Sequence, residues 1–118
     1  MIKDILFVGE EKSDLARSMG VSWKDGRLAA KQLFDALKRL GIDPQRQKYT
    51  NWFADGDQTL VRHHNGTVVA MGRKVERALK KEGIDHVFIY HPATRGIHRR
   101  KDVYTEHVRQ IFENNNIL

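Results

Sequence analysis

Four short apolar runs, each separated from the next by a longer polar or amphipathic stretch, restrict this chain to a small set of folds. They occupy residues 5–8, 49–53, 67–71 and 86–90. Each run is rich in β-branched or aromatic residues and is bounded by Gly, Pro, Asp or Asn, as is typical of a buried strand. A chain of 118 residues has room for one core, so we expect the four strands to share one sheet.

Helical patterns fill much of the sequence between these runs. After Asp25, apolar residues recur at 3.6-residue spacing, with Asp25 as the expected N-cap and Gly41 as the stop. The same spacing predicts a helix over residues 73–82, ended by Gly83, and another over residues 102–114. These patterns indicate three amphipathic helices.

The order of the elements predicts the fold class. An extra turn of helix is predicted at residues 13–19, whereas residues 54–66 contain Asp-Gly and Asn-Gly pairs and are predicted to form turns only. The resulting order is β-α-β-β-α-β-α, which favours a parallel sheet covered on both faces. We therefore expect an α/β three-layer sandwich, with a four-stranded parallel sheet flanked by helices, as a single domain over residues 1–118.

Composition excludes several kinds of site. The chain has no cysteine, which rules out disulfides, thiolate zinc sites, iron–sulfur ligation and a cysteine nucleophile. His63 and His64 have no carboxylate or thiol nearby in sequence, so we expect surface residues and no metal site. No apolar run approaches the ~20 residues that span a bilayer, and the N-terminus is too acidic for a signal peptide. We expect a soluble, unprocessed, cytoplasmic protein.

The charge of the chain favours a polyanionic partner. Lys and Arg number 21 against 15 Asp and Glu, which gives a formal net charge of +6. Nucleic acid is the commonest partner of such a chain. A basic domain that is merely soluble remains an equally open interpretation of charge alone.

In an open parallel sheet, ligands bind beyond the carboxyl ends of the strands. At the first of these ends, Gly9 permits a turn or a close approach of the backbone to a ligand. Glu10 and Glu11 follow it, and a carboxylate in a cleft can orient a water molecule or act as a base. A pair of solvated loop carboxylates is the alternative interpretation.

Two polar side chains follow other strands. The amide of Asn51 carries a donor and an acceptor side by side, the geometry that reads the edge of a nucleobase, unless it only satisfies backbone groups. His91 precedes Pro92, which biases it to an extended conformation. Held in this way, an imidazole can donate a hydrogen bond to an oxygen gaining charge or act as acid or base. A structural role for His91 stays open.

A basic segment follows His91. It offers cations for phosphates, a flexible point at Gly96 and, in Ile97, one apolar side chain of wedge size. A solvated basic turn, capped by Asp102 before the last helix, is the alternative. The residues of this segment that are predicted to contact DNA are Thr94, Arg95, Ile97, His98, Arg99, Arg100 and Lys101.

Taken together, five stretches resemble the uracil-DNA glycosylase superfamily: ILFVGEE, GRLAAKQLFDALKRLGI, YTNW, TVVAMGRKVERAL and VFIYHPAT. Their order and spacing are similar to that family's strand-end motifs over nearly the whole chain. The resemblance implies a four-stranded parallel sheet flanked by helices. It also implies excision of uracil from DNA: the nucleotide is flipped out, the base is stacked on an aromatic ring and read by an Asn, and the glycosidic bond is hydrolysed.

The resemblance assigns roles to single residues. Asn51 matches the uracil-reading Asn, and His91-Pro92-Ala93 is similar to a His-Pro-Ser motif whose His stabilises the departing uracil anion. Glu11 falls where one branch has its water-activating Asp, although the proline of that first motif is missing here.

The resemblance also has gaps. The stretch that usually supplies the uracil-stacking Phe is missing, which leaves Trp23, Trp52 or Phe53 as substitute rings. The iron–sulfur cysteines of the thermostable branch are absent as well.

These observations lead to a main hypothesis and two alternatives. The main hypothesis is a minimal, monomeric uracil-DNA glycosylase-like enzyme that acts on single- or double-stranded DNA without metal or organic cofactor. In it, Ile97 fills the gap left by the flipped base, and Glu11 or Glu10 positions the water. The alternatives are a non-catalytic module that binds nucleic acid or nucleotides, and an enzyme acting on a free nucleotide or a modified base.

Overall fold

A computed structural model describes residues 4–54 and 56–118. Its centre is a four-stranded sheet in which all neighbouring strands are parallel, in the order β2-β1-β3-β4. The predicted α/β class and the four-stranded parallel sheet are confirmed. The strands are β1 (Ile5–Gly9), β2 (Lys48–Asn51), β3 (Thr67–Met71) and β4 (Val87–Ile89).

Five α-helices connect or follow the strands within the described part of the chain. The three amphipathic helices predicted from spacing are present, and Gly41 ends the first of them with φ +79°, in the left-handed region that glycine adopts without strain. None of the described helices is long and apolar enough to cross a membrane. The helices are α1 (Asp14–Met19), α2 (Ala29–Arg39), α3 (Gln58–His63), α4 (Arg73–Lys81) and α5 (Lys101–Asn114).

The central strand β1 divides the core into two layers, because successive side chains of a strand point to opposite faces. Ile5 and Phe7 pack in a cluster with residues of α2 and α5. Leu6 and Val8 pack in a second cluster with residues of α3 and α4. All four side chains are fully buried, and each contributes about 1.5–3 kcal/mol by leaving water. Helices therefore cover both faces of the sheet.

The prediction that residues 54–66 form turns only is wrong. Helix α3 lies in this stretch and begins after Asp57, whose carboxylate accepts a hydrogen bond from the backbone N–H of Leu60 at 2.9 Å. Val61 is buried against the sheet, which stabilises a helix too short to be stable alone. Asp55, part of the predicted Asp-Gly turn, lies outside the described residues.

Asp25 does not cap α2, so that prediction is also wrong. Its carboxylate instead accepts the backbone N–H of Ser22 at 2.6 Å and closes a separate 3₁₀ turn over Trp23–Asp25. Gly26, with φ +63°, then reverses the chain, and Leu28 takes the N-cap position of α2 without a side-chain cap. The acceptor that could have capped α2 is already used by the turn.

Helix α5 fastens the end of β4 through both backbone groups of Tyr90. The N–H of Tyr90 donates to Nε2 of His107 at 2.9 Å, and its carbonyl accepts from the hydroxyl of Tyr104 at 2.7 Å. Burial raises the pKa of Tyr104, which stays a neutral donor. The residue after Tyr90 is His91, so α5 fixes the position of the backbone that leads into this histidine.

We expect Tyr104→Phe to lower the free energy of unfolding by about 1–2 kcal/mol, because it leaves the carbonyl of Tyr90 without a partner in the interior. Urea denaturation followed by circular dichroism measures the change. Tyr90→Phe is the control, since no described residue bonds its hydroxyl. Equal stability of Tyr104→Phe and the wild type would contradict the role given to this bond.

Candidate active site

The predicted strand ends meet at one edge of the sheet. Gly9 and Asn51 are register partners, and the pairing continues beyond the strands where the N–H of Trp52 donates to the carbonyl of Gly9 at 2.9 Å. On the other side of β1, the N–H of Gly72 donates to the carbonyl of Ile89 at 2.9 Å. A Cβ on Gly72 would lie 3.5 Å from the Cβ of His91. These contacts bring the ends of all four strands together.

A cleft of about 500 Å³ opens at this edge and is bordered by Asn51 and His91. A second cleft of about 410 Å³ adjoins it, with Glu10 and Glu11 in its wall and His91 again at its border. The first cleft is also lined by the rings of Trp23, Tyr49 and Phe53 and by the cationic side chains of Lys12, Arg17, Lys24 and Arg27. Aromatic walls beside polar groups are typical of a small-molecule site.

Trp23 and Asn51 contact each other directly above Gly9. The indole Nε1–H of Trp23 donates a hydrogen bond to Oδ1 of Asn51 at 2.9 Å. A Cβ on Gly9 would lie 2.6 Å from that oxygen and 2.7 Å from Cζ2 of Trp23, so only glycine fits here. The close approach expected at Gly9 therefore occurs, and the atoms that approach are those of Trp23 and Asn51.

The hydrogen bonds of His91 define its protonation. Its Nδ1 accepts the backbone N–H of Ala93 at 3.0 Å, and its carbonyl accepts the N–H of Thr94 at 2.9 Å. Burial lowers the pKa of His91 below the usual 6.5, against a weaker raising effect from the charge of Glu10. The imidazole is therefore neutral near pH 7 and carries its proton on Nε2, which leaves Nε2–H as a donor.

Both carboxylates of the first strand end are paired with cations. Glu10 contacts Nζ of Lys74 at 3.0 Å, and Glu11 contacts the guanidinium of Arg17 at 3.6 Å. Both side chains are about 40% exposed, at 40% and 42%, so these pairs are weak and solvated. A ligand can displace either partner at low cost.

The three candidate rings lie in different places. Trp23 and Phe53 line the cleft, and the ammonium group of Lys74 lies 5.0 Å from the centre of the Phe53 ring. Trp52 does not line the cleft. It is 5% exposed within the cluster of α3 and α4, where the guanidinium of Arg62 covers it. Its assignment as a base-binding ring is therefore corrected: its side chain points to the opposite face from that of Asn51.

The basic segment forms a 3₁₀ turn over Gly96–Arg99 that leads into α5. Ile97 is 63% exposed, as a wedge would need to be. The cations at positions 95, 99 and 100 are exposed as well, whereas Thr94 is half-buried and its backbone bonds to His91.

Two members of the segment are already engaged. Lys101 contacts the carboxylate of Asp35 at 2.8 Å and lowers the pKa of that carboxyl, so it is less available to a phosphate than its sequence suggests. His98 packs on the ring of Tyr90 with centroids 4.5 Å apart. These contacts make Lys101 and His98 less available to DNA than the exposed arginines of the segment, and DNA contact by either residue stays a prediction.

The sequence did not predict that α1 and the start of α2 form a wall of the cleft. Leu15 on α1 is 56% exposed there, and Leu28 has φ 57° and ψ −131°, a strained conformation that costs about 1–3 kcal/mol. For Leu15, the sequence did offer a signal: it is an apolar residue in the polar segment that follows the first strand end. No local pattern indicated the conformation of Leu28.

Comparisons with known proteins identify no relative of this chain. No protein-family model, curated protein or solved structure matches it. Among the described residues, no group of three or more acidic or histidine side chains could hold a metal ion. The function is therefore inferred from the geometry of the site and from the residues that carry the resemblance.

We expect acid to destabilise the fold through His107. Burial and the charge of His98 lower the pKa of His107 to about 4, from the usual 6.5, so the unfolded chain binds this proton first. Stability is thus fully present above pH 6.5 and is lost as the pH falls toward 4. His107→Gln keeps a neutral acceptor and should remove about 1–2 kcal/mol of this loss, after allowance for partial exposure.

Urea denaturation over this pH range, with wild type, His107→Gln and His63→Gln compared, measures the effect. His63 is exposed, and its substitution should leave the pH dependence unchanged. A parallel pH dependence in His107→Gln and wild type would show that another group is responsible.

Proposed function

We propose that this protein binds a nucleobase of DNA in the cleft and hydrolyses the N-glycosidic bond that joins it to the sugar. The observation that carries the proposal is that Asn51 and a neutral, Nε2-protonated His91 line the same cleft. The parallel sheet with helices on both faces agrees with the uracil-DNA glycosylase-like fold that the resemblance implies. Uracil or a related damaged or modified base is the expected substrate.

The chemistry requires a base that can leave as an anion. The bond between C1′ of the sugar and the ring nitrogen breaks, and its electron pair leaves with the base, where a carbonyl oxygen gains negative charge. The Nε2–H of His91 donates a hydrogen bond to this oxygen, and a donor fixed in advance stabilises the charge without reorganisation. A neutral imidazole suits this role because the bond strengthens as the charge develops.

Water completes the reaction at C1′. Its oxygen bonds to the carbon, and its proton passes to solvent or to a carboxylate of residues 10–11. Glu10 and Glu11 border the second cleft together with His91, so a base bonded to His91 would have a carboxylate nearby to position the water. Release from Arg17 or Lys74 on DNA binding would free one of them for this role.

The cationic surface around the cleft supports DNA as the partner. Lys12 and Arg27 line the cleft, and the exposed arginines at positions 95, 99 and 100 follow His91, which also lines it, within nine residues along the chain. Phosphate contacts of this kind supply most of the sequence-independent affinity for DNA. Exposed Ile97 would enter the stack when a base leaves it.

One observation favours a second function, a module that binds DNA without cleaving it. Both carboxylates of the first strand end are paired, and the Asn51 carbonyl is occupied by Trp23. A site in this state can hold a base without activating water. The two functions make opposite predictions for base release.

We expect base release from uracil-containing single- or double-stranded oligonucleotides, tested beside a panel of other deaminated and modified bases. His91→Ala and Asn51→Ala should each lower the rate by about 10²–10⁴-fold, since they remove the oxyanion donor and the base contact. Glu10→Gln and Glu11→Gln, measured separately, identify the carboxylate that positions water. Abasic-site cleavage followed on denaturing gels measures the rate.

His63→Ala is the matched control, because its imidazole is exposed and lies outside both clefts. A folded wild type that releases no base from any member of the panel would overturn the enzymatic proposal. Salt-sensitive oligonucleotide binding that is undiminished in His91→Ala would then favour the binding module.

We also expect Arg99→Gln to weaken oligonucleotide binding and to reduce the slope of log K against log salt by about 1, because one phosphate contact is lost. Lys81→Gln is the control: it removes the same charge at the end of α4, away from the cleft. Fluorescence anisotropy over a salt series measures both. Equal slopes for the two variants would remove the basic segment from the interface.

A further inference from the structure

The bond between Trp23 and Asn51 fixes which way the Asn51 amide faces. An amide side chain can in general be turned by 180° without a change in shape, which exchanges its donor and its acceptor. The indole Nε1–H is a donor only, and it lies 2.9 Å from Asn51 at a bond that only Oδ1 can accept. The NH₂ group is therefore the donor that the amide offers to a ligand, and Oδ1 keeps only one lone pair beside it.

Several contacts hold the indole of Trp23 in this position. It packs against Gly9, where a Cβ would be 2.7 Å from Cζ2. It stacks on Tyr49 with centroids 6.4 Å apart and planes 18° apart, and its centroid is 6.2 Å from that of His91. The backbone of its 3₁₀ turn is closed by the carboxylate of Asp25. The donor is thus fixed before any ligand binds.

The free side of Asn51 is suited to one kind of base edge. No described residue accepts a hydrogen bond from its Nδ2, and Asn51 lines the cleft. A carbonyl oxygen on the base would accept from this NH₂ group. An amino group in the same place would set donor against donor and leave both unpaired, which lowers affinity or rate by about 10–100-fold.

We propose that Trp23 is a positioning residue that holds the Asn51 amide in one orientation and so makes the cleft select a base with a carbonyl group over one with an amino group at the same ring position. This inference rests on the proposed function for the contact between Asn51 and a base. It gives Trp23 a role different from that of a stacking ring: its polar edge acts on Asn51, and its face need not touch the ligand.

The selectivity test compares single-stranded oligonucleotides that carry uracil or cytosine at one position, since these bases differ by a carbonyl and an amino group. Selectivity is the ratio of their Kd values and, where base is released, of their kcat/KM values. The wild type should prefer uracil by about 10–100-fold. Trp23→Phe keeps a ring on Gly9 but has no N–H, so the Asn51 amide can turn and the preference should fall at least about tenfold.

Trp52→Phe is the matched control, because it makes the same exchange in the opposite core layer and should leave the preference unchanged. Circular dichroism establishes that each variant is folded. A merely structural role for Trp23 would lower uracil and cytosine binding together, whereas the proposed role changes their ratio.

A second measurement needs no folded Trp23 variant. The chain has two tryptophans, so the indole N–H signal that is retained in Trp52→Phe belongs to Trp23. Hydrogen exchange at this N–H, followed by NMR, should be at least about tenfold slower in the wild type than in Asn51→Ala, because the bond protects it. Equal exchange rates would overturn the inference whatever the activity.

The outcomes separate this inference from the proposed function. A wild type without preference for uracil, or a Trp23→Phe variant that keeps the full preference, overturns the role of Trp23. Preference for uracil that is lost in Trp23→Phe, in a protein that releases no base, supports the role of Trp23 and overturns the glycosylase.

Discussion

The central position of β1 between two parallel neighbours is the constraint on which the rest of the structure depends. With a strand bonded on each side, its side chains alternate between two core layers, so helices must cover both faces. Because all the strands are parallel, their carboxyl ends lie at the same edge of the sheet. Gly9 stands at the middle of that edge, and the groups of the cleft gather around a backbone position without a side chain.

Much of this fold follows from local sequence. The four strands follow from short apolar runs and the three longer helices from 3.6-residue spacing, and Gly41 and Gly83 correctly indicate where the first two of these helices end. Helix α3 was not predicted because it has only six residues and lies between two turn signals, Asp-Gly before it and Asn-Gly after it. The start of α2 was predicted wrongly for a similar reason: whether the Asp25 carboxylate accepts the N–H of Ser22 or an N–H of α2 depends on the fold and not on the local pattern. Tertiary context decided both cases.

The candidate site divides in the same way. The convergence of residues 9, 51 and 91 follows from the rule for parallel strand ends, without any coordinates. The burial of Trp52 could also have been predicted, because it follows Asn51 and must point to the other face. The bond from Trp23 to Asn51 could not, since its partners are 28 residues apart and meet only through the shape of a 3₁₀ turn.

The attachment of Tyr90 to α5 makes the integrity of the cleft depend on a helix that lies outside it. The groups around the cleft come from three separate parts of the chain, within residues 11–30, 49–53 and 91–93, and the helix that anchors His91 does not line it. Transient detachment of α5 would therefore release His91 from its place at the cleft even while the sheet stays intact. Any molecule that occupies the cleft selects the fully assembled form, and so protects against opening in a helix remote from it.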